Sequence, residues 1–224
     1  MKILEHELKT LRQSLIEMTM MVISQFEKAI EAFETYNKDL AFEVTVIERR
    51  INAYELKVDA ECENIFALHH PVASDLRLVM AGYNISATLE RIGDNADAIS
   101  KFVMEMDKPL KSEFLESARL PEMYKTALKM LNDALDAFED QAPGKIYSIH
   151  NQDLILNEIN KNASNIMVDL IKLYPDDIKN LLCFYSTIKK IERVGDLVKN
   201  IAEEIIFYFD AKSVKHTYPS HEDI

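Results

Sequence analysis

Apolar residues recur at every third or fourth position along most of this chain, which is the spacing of one face of an α-helix. The two clearest apolar stripes run through residues 89–103 and 191–205. Their members are Leu89, Ile92, Ala96, Ile99 and Val103 in the first stripe, and Ile191, Val194, Val198, Ile201 and Ile205 in the second. Stripes of this kind pack a helix against antiparallel neighbours, so the pattern predicts a helical bundle.

The chain contains an internal repeat. The sequence AIEAF at residues 29–33 recurs as ALDAF at residues 134–138, an offset of 134 − 29 = 105. ERIGD at residues 90–94 recurs as ERVGD at residues 192–196, an offset of 192 − 90 = 102. Ordered matches at nearly constant offset indicate a tandem duplication, with three residues lost from the second copy.

Each copy predicts three helices that are separated by short turns. In the first copy they span about residues 5–36, 40–69 and 75–103, with Asp75 as the N-cap of the third helix. In the second copy they span about residues 121–141, 145–174 and 176–209. We therefore predict an all-α fold made of two tandem three-helix bundles.

The predicted domain boundaries follow the repeat. They are 1–108 for the first three-helix bundle repeat, 109–120 for a linker, 121–211 for the second three-helix bundle repeat and 212–224 for a polar tail. Composition supports long helices, because the chain has only 4 glycines and 6 prolines. Sandwiches and doubly wound sheets need more turns than these residues would provide.

Charge and cysteine content exclude several functional classes. The chain has 26 basic and 38 acidic residues, and a net charge of −12 opposes binding to nucleic acid. Cys62 and Cys183 lie far apart and form no CxxC pattern, which argues against a zinc site or a disulfide framework. No apolar run approaches the roughly 20 residues needed to span a bilayer. We expect a soluble cytoplasmic protein without a transmembrane segment.

The acidic residues of the first copy form stripes on two successive helices. Glu90, Asp94 and Asp97 share one face of the third helix, at positions i, i+4 and i+7. The second helix carries a similar stripe of Glu48, Asn52, Glu55 and Asp59. A helical wheel places the first stripe nearly opposite the apolar one, so we expect both acidic stripes to face outward. If the two helices are neighbours, up to six carboxylates converge.

A bound cation would offset the repulsion within these acidic stripes. Carboxylate oxygens suit magnesium, manganese, calcium or iron, and the lack of cysteine and histidine on the stripes weighs against zinc. The second copy is poorer in acids: its matching positions are Asp153, Asn157, Asn160 and Ser164, then Glu192, Asp196 and Lys199. We therefore predict that the second copy binds a cation more weakly than the first, or not at all.

Two of the four glycines occupy the same helical position in the two copies. Gly93 and Gly195 each lie between the glutamate and the aspartate of the repeated motif. A glycine inside a helix costs about 1 kcal/mol relative to alanine, so its recurrence needs a reason. One explanation is a close approach of two helices, and the other is access of a ligand or partner to the backbone.

The common motifs of helical and nucleotide-dependent enzymes do not occur in the sequence. It has no Glu-x-x-His of the di-iron bundle proteins, no GxxxxGK[ST] loop, no GxGxxG turn and no GxSxG elbow. The sequence therefore favours a non-enzymatic protein. A metal-dependent hydrolase or oxidase built on the clustered carboxylates remains an alternative, which would need a concave pocket that excludes water.

The repeated motifs resemble the PhoU family of bacterial phosphate-signalling regulators. The resemblance rests on the tandem three-helix pattern, on ERIGD and ERVGD, and on PVASDLR at residues 71–77. It implies a cytoplasmic helical adaptor that restrains the phosphate-starvation response. Its implied partners are the ATPase of the high-affinity phosphate ABC transporter and a sensor histidine kinase. The resemblance also implies a homodimer. A helical accessory protein of another ion or phosphate transporter is the alternative.

The resemblance further implies metal binding, since some members of the family bind iron, zinc, manganese or magnesium through E(D)xxxD motifs. Carried over by position, these motifs are Glu90 with Asp94 and Glu192 with Asp196. The candidate metal ligands, with the acids of the stripes included, are Glu48, Glu55, Glu90, Asp94, Asp97, Asp153, Glu192 and Asp196.

Overall fold

Long α-helices account for nearly all of the regular structure. The computed structural model describes residues 2–141 and 143–212. The helices in these ranges are α1 (Lys2–Thr35), α2 (Lys38–His69), α3 (Ala73–Glu105), α4 (Ser112–Ser117), α5 (Leu120–Glu139), α6 (Tyr147–Leu173) and α7 (Ile178–Asp210). Single turns of 3-10 helix at Pro143–Ile146 and Pro175–Asp177 precede α6 and α7. The predicted all-α class is confirmed.

Local side chains and backbone conformations define where the first helices end. The break after α1 lies where the sequence predicts it, and Asn37 caps α2 by accepting a hydrogen bond from the backbone N–H of Leu40 at 3.0 Å. The prediction that Asp75 caps α3 is wrong. Val72 is the N-cap residue in an extended conformation, so Asp75 lies in the first turn. A carboxylate in the first turn still favours the helix, because it faces the positive end of the helix dipole.

The helices form two three-helix bundles, as predicted, and the buried residues of both belong to one core. Helices α1, α2 and α3 pack against one another, and so do α5, α6 and α7. The bundles join mainly where α3 lies along α7, with a smaller contact between α1 and α5. Across the junction the rings of Phe33 and Phe184 lie 6.1 Å apart between centroids. Both apolar stripes found in the sequence are buried.

The segment between the bundles is helical and packed. Residues 109–120 contain α4, whose Phe114 is buried with its ring centroid 4.8 Å from that of Tyr174. The division of the chain at 1–108, 109–120, 121–211 and 212–224 stays a prediction. Most of the expected polar tail, residues 213–224, lies outside the described residues.

Two further findings bear on the chemistry of the chain. None of the helices in the described ranges has a stretch that is both long and apolar enough to cross a bilayer.

Cys62 and Cys183 are buried free thiols, and burial raises the pKa of Cys62 to about 12. Because the thiolate is the reactive form, burial makes the Cys62 thiol unreactive.

Gly195 allows α6 and α7 to approach closely. It is buried on α7, and a Cβ atom at this position would lie 2.3 Å from Cδ1 of Leu156. Leu156 on α6 is itself fully buried, so its side chain has little room to move away. Of the two explanations for the repeated glycine, close helix packing therefore holds at Gly195.

We predict that Gly195→Val destabilises the protein by about 2 kcal/mol, because overpacking a filled core costs in the range of 1–3 kcal/mol. The measurement is the urea midpoint of unfolding at constant m-value. Gly144→Ala is the matched control, since a Cβ there meets no atom within 4 Å. We expect it to change stability by less than about 0.5 kcal/mol. Equal midpoints for the two variants would contradict this account of Gly195.

Candidate metal centre

Three carboxylates of the first bundle come together where α2 packs against α3. Glu48 on α2 and Glu90 and Asp94 on α3 each offer an oxygen, and these atoms lie within 4.8 Å of one another. Among the described residues this is the one group of three acidic, histidine or cysteine side chains with that geometry. The pairing of α2 with α3 is what the sequence required for the two acidic stripes to meet.

The carboxylates lie along a gradient from the core to the surface. Glu48 is buried, Glu90 is half-buried and Asp94 is exposed. Glu48 Oε2 accepts a hydrogen bond from Gln25 Nε2 of α1 at 2.8 Å, whereas the buried Oε1 of Glu48 has no hydrogen-bond partner within the described ranges. A buried carboxylate oxygen without a partner carries a desolvation penalty that a cation or a hydrogen-bond donor would remove.

Like charge and burial disturb the ionisation of the group. The pKa of Glu90 is raised to about 7 by burial and by the negative charges of Asp94, Glu55 and Glu48. Burial also raises the pKa of Glu48, with Asp94 and Asp97 adding to the effect against the hydrogen bond from Gln25. At neutral pH Glu90 is therefore only partly ionised in the ion-free protein. A bound cation would favour the ionised form of each carboxylate.

Gly93 gives Glu48 the space that it occupies against α3. A Cβ at this position would lie 2.9 Å from Glu48 Oε2 and 3.0 Å from Gln25 Oε1. The glycine therefore lets a buried carboxylate and a buried amide lie directly on the backbone of α3. Gln25 is a residue of the candidate site that sequence reasoning missed. Its only sequence signal is a polar residue on the buried face of α1, which becomes meaningful once α2 is placed beside it.

The other predicted ligands of the first bundle lie around this group. Glu55 is half-buried, and burial together with the charges of Asp59 and Asp94 raises its pKa, so it lies at the edge of the group. Asp97 has partners of its own. It accepts a hydrogen bond from Thr45 Oγ1 at 2.9 Å and pairs with Lys101 Nζ at 2.5 Å. Lys101 lies one turn after Asp97, and the sequence analysis overlooked it.

The expectation that the acids face outward is wrong for three of them. Glu48, Asp97 and Asp153 are 7%, 4% and 2% exposed. The helical wheel considered one apolar stripe and therefore one buried side for each helix. Helix α3, however, packs against α1, α2 and α7, so Asp97 lies on an enclosed side. Glu48 of α2 and Asp153 of α6 are buried because they lie against Gly93 of α3 and Gly195 of α7.

In the second bundle a lysine lies among the matching acids. Asp153 on α6 is buried, and its Oδ2 accepts hydrogen bonds from Asn157 Nδ2 at 2.8 Å and Lys199 Nζ at 2.8 Å. Lys199 Nζ also lies 2.9 Å from Asp196 Oδ1, while no described residue forms a hydrogen bond with Asp153 Oδ1. Glu192 is half-buried, and its pKa is raised by burial and by Asp196.

Lys199 stays charged in this environment. Burial opposes the charge on its ammonium, but the hydrogen bonds to Asp153 and Asp196 outweigh that effect and raise its pKa. The second bundle thus keeps Glu192 and Asp196 on α7 at the positions of Glu90 and Asp94 on α3, and Lys199 supplies a cation where the first bundle has Asp97. Weaker binding of an added cation by this bundle stays a prediction.

Comparison with known proteins places both repeats in one family. A family model described as "PhoU domain" matches residues 15–103 and 120–205. The chain is 32% identical over 213 residues to the phosphate-specific transport system accessory protein PhoU of Escherichia coli (strain K12), which is 94% of this chain and 86% of that protein. It is also 32% identical over 208 residues to the PhoU homolog of Borreliella burgdorferi, covering 91% of this chain and 93% of that one.

Solved structures agree with the sequence matches. The crystal structure of PhoU from Pseudomonas aeruginosa superposes with a TM-score of 0.84 at 28% identity, covering 93% of this chain and 99% of that one. The phosphate transport system regulatory protein PhoU from Streptococcus pneumoniae gives a TM-score of 0.83 at 28% identity, with coverage of 95% and 99%. With both repeats matched in sequence and in fold, the chain belongs to the PhoU family.

Proposed function

We propose that this chain is a non-enzymatic cytoplasmic regulator of phosphate uptake and of phosphate-starvation signalling. It acts by contact with the ATPase of a phosphate ABC transporter and with a sensor histidine kinase. The observation that carries the proposal is the match of both repeats to proteins named as accessory or regulatory components of phosphate transport. The family membership supports the transport role, and the contacts with the ATPase and the kinase are the finer part of the proposal.

The position of the carboxylate group favours binding over catalysis. Asp94 is exposed and Glu90 is half-buried, so the group opens to solvent. Catalysis by clustered charge depends on a shielded site in which water is excluded and the charges are preorganised. A surface group of acids is better suited to hold an ion that a partner also contacts.

We propose that a hard divalent cation or iron binds at Glu48, Glu90 and Asp94. If more than one ion binds, Glu55 would be a further ligand. The unpartnered Oε1 of Glu48 and the raised pKa of Glu90 are both consequences of packing these acids together without a counter-charge. Magnesium, manganese and iron accept such oxygen ligands, and zinc is less suited because no histidine or cysteine is present in the group. An ion here would keep open positions for a carboxylate or phosphate of the partner.

Removing two of the three carboxylates should abolish tight uptake of Mn²⁺. We expect the double variant Glu90→Gln/Asp94→Asn to bind Mn²⁺ about tenfold or more weakly, since loss of even an outer-shell group costs 10–100-fold in metal affinity. Equilibrium dialysis with metal analysis measures the uptake. The matched control is Glu113→Gln/Glu116→Gln, which neutralises two exposed acids of α4. Equal uptake by the two double variants would exclude this site.

Partner binding should depend on the same carboxylates. We expect the immobilised protein to retain the nucleotide-free transporter ATPase, and the Glu90→Gln/Asp94→Asn variant or EDTA treatment to reduce the retained amount severalfold. The reason is that the ion links the acids of this chain to an oxygen ligand of the partner. If neither treatment changes the amount of ATPase retained, the ion has no role in the contact. Failure of the unaltered protein to retain the ATPase would contradict the proposed partner.

We also infer a homodimer that forms through the outward face of α2. This face carries exposed apolar residues at heptad-like spacing, namely Phe42, Val46, Ala53, Leu56, Ala60 and Ala67. They extend over about 37 Å of helix, at 1.5 Å per residue. The matching positions of α6 from 151 onward are mostly polar: Asn151, Glu158, Lys161, Asn165 and Lys172. An exposed apolar stripe of this length is typical of a helix that packs against another helix.

The charges on α2 favour a second copy of the chain as the occupant. Arg49 and Glu63 are exposed and lie seven residues before and seven residues after Leu56. In an antiparallel pair of α2 helices with the two-fold axis at Leu56, each arginine faces the glutamate of the other copy. An isologous interface needs such self-complementarity.

Charge reversal tests this pairing. We expect Arg49→Glu and Glu63→Arg to be monomeric in sedimentation velocity, because each places like charges opposite one another, and the double variant to recover the dimer. Leu56→Asp should also be monomeric, whereas Leu173→Asp should stay dimeric, although both leucines are 70% exposed. A monomeric unaltered chain, or a dimer that survives either single reversal, would contradict this interface.

A further inference from the structure

The two bundles place equivalent acids around equivalent glycines, with one difference of charge. Glu90, Gly93 and Asp94 on α3 correspond to Glu192, Gly195 and Asp196 on α7, and Glu48 on α2 corresponds to Asp153 on α6. The residue seven positions after the first glutamate is Asp97 in the first bundle and Lys199 in the second. The substitution therefore replaces an acid by a base at one position of a duplicated site.

The lysine lies between the acids of the second bundle. Its Nζ is 2.8 Å from Asp153 Oδ2 and 2.9 Å from Asp196 Oδ1, so one ammonium joins α6 to α7. Its side chain is 31% exposed, and its ammonium is directed toward the buried carboxylate of Asp153. In the first bundle the position of Lys199 is taken by Asp97, which pairs with Lys101, and among the described residues no lysine is bonded to Glu48.

We propose that Lys199 is the resident cation of the second bundle and that its ammonium closes a latent site for a divalent cation at Asp153, Glu192 and Asp196. The buried Oδ1 of Asp153 has no hydrogen-bond partner among the described residues, so Lys199 and Asn157 satisfy only the other oxygen of this carboxylate. Asp153, Glu192 and Asp196 match Glu48, Glu90 and Asp94 in sequence position, but with Lys199 among them their oxygens are not gathered within 4.8 Å of one another, as those of the first bundle are. Removal of the ammonium would let the three carboxylates close on a cation.

A permanent cation of this kind has a chemical consequence. A chelator or a shortage of metal removes an ion from the first bundle but cannot remove Lys199 from the second. The contact between α6 and α7 is therefore independent of metal supply. The comparison between a removable ion and a permanent ammonium rests on the cation site proposed for the first bundle. The latent site itself depends only on residues of the second bundle.

The decisive measurement is the Mn²⁺ stoichiometry of the full chain with the first site disabled by Glu90→Gln/Asp94→Asn. In this background we expect no tightly bound Mn²⁺. Adding Lys199→Asp, which restores the acid of the first repeat, or Lys199→Met, which removes only the charge, should create uptake of at least one ion per chain. Lys161→Met on the exposed face of α6 is the matched control and should create none.

Two outcomes would overturn the proposal. One is Mn²⁺ that stays bound in the Glu90→Gln/Asp94→Asn background and is lost on adding Asp196→Asn, because the site would then be open in the presence of Lys199. The other is the absence of any gain with both Lys199→Asp and Lys199→Met. If instead the unaltered chain binds no Mn²⁺ through Glu90 and Asp94 while Lys199→Asp gains an ion, the proposed first site fails and this inference stands.

Thermal stability separates a resident cation from a lysine that only packs. Lys199→Met leaves Asp153 buried without its counter-charge, so we expect its Tm to fall by several degrees and Mn²⁺ to restore most of the loss. The Tm of the Glu90→Gln/Asp94→Asn variant, which keeps Lys199, should not respond to Mn²⁺. A fall that Mn²⁺ leaves unchanged would overturn the assignment of Lys199 as a cation in a metal-binding position.

Discussion

A carboxylate buried against a glycine, where two long helices pack, is the constraint on which the rest of this structure depends. Glu48 lies on Gly93 in the first bundle, and Asp153 lies beside Gly195 in the second. A charge in such a place needs hydrogen bonds or a counter-ion, because its desolvation costs several kcal/mol. Gln25 supplies a hydrogen bond in the first bundle, and Asn157 with Lys199 does so in the second. The glycines that allow the helices to pack closely thus also create the buried carboxylates that need a hydrogen bond or a counter-ion.

The duplication has given the two bundles different ways to balance that charge. In the first, the oxygens of three carboxylates approach one another, and burial together with the neighbouring charges raises the pKa of Glu90, a penalty that the proposed cation would offset. In the second, Lys199 joins Asp153 to Asp196. Since α3 and α7 lie along each other, these two arrangements are part of one continuous core. In the proposed function, Lys199 gives the second bundle a permanent counter-charge, and the first bundle would take its counter-charge from solution.

The fold could be predicted well because helical periodicity records burial directly, and the repeat doubled the evidence. The same spacing placed Glu90 and Asp94 on one face, where Glu48 joins them. What the sequence could not reveal is the number of neighbours around each helix, so the depth of the acids was misjudged. Contacts between distant parts of the chain were also missed: Gln25 reaches Glu48, and Thr45 reaches Asp97, from other helices. The misplaced cap at Asp75 was a local error, since α3 begins two residues earlier.

The tethered ammonium of Lys199 also has a consequence in terms of mass action. The stabilisation that a dissociable ion gives grows with the logarithm of its free concentration, by about 1.4 kcal/mol for each tenfold increase above Kd. A covalently attached cation has no such dependence, because its local concentration is fixed by the chain. With an ion at the first bundle, the stabilisation of that bundle would therefore vary with the free ion concentration. The stabilisation that Lys199 gives to the second bundle would stay constant.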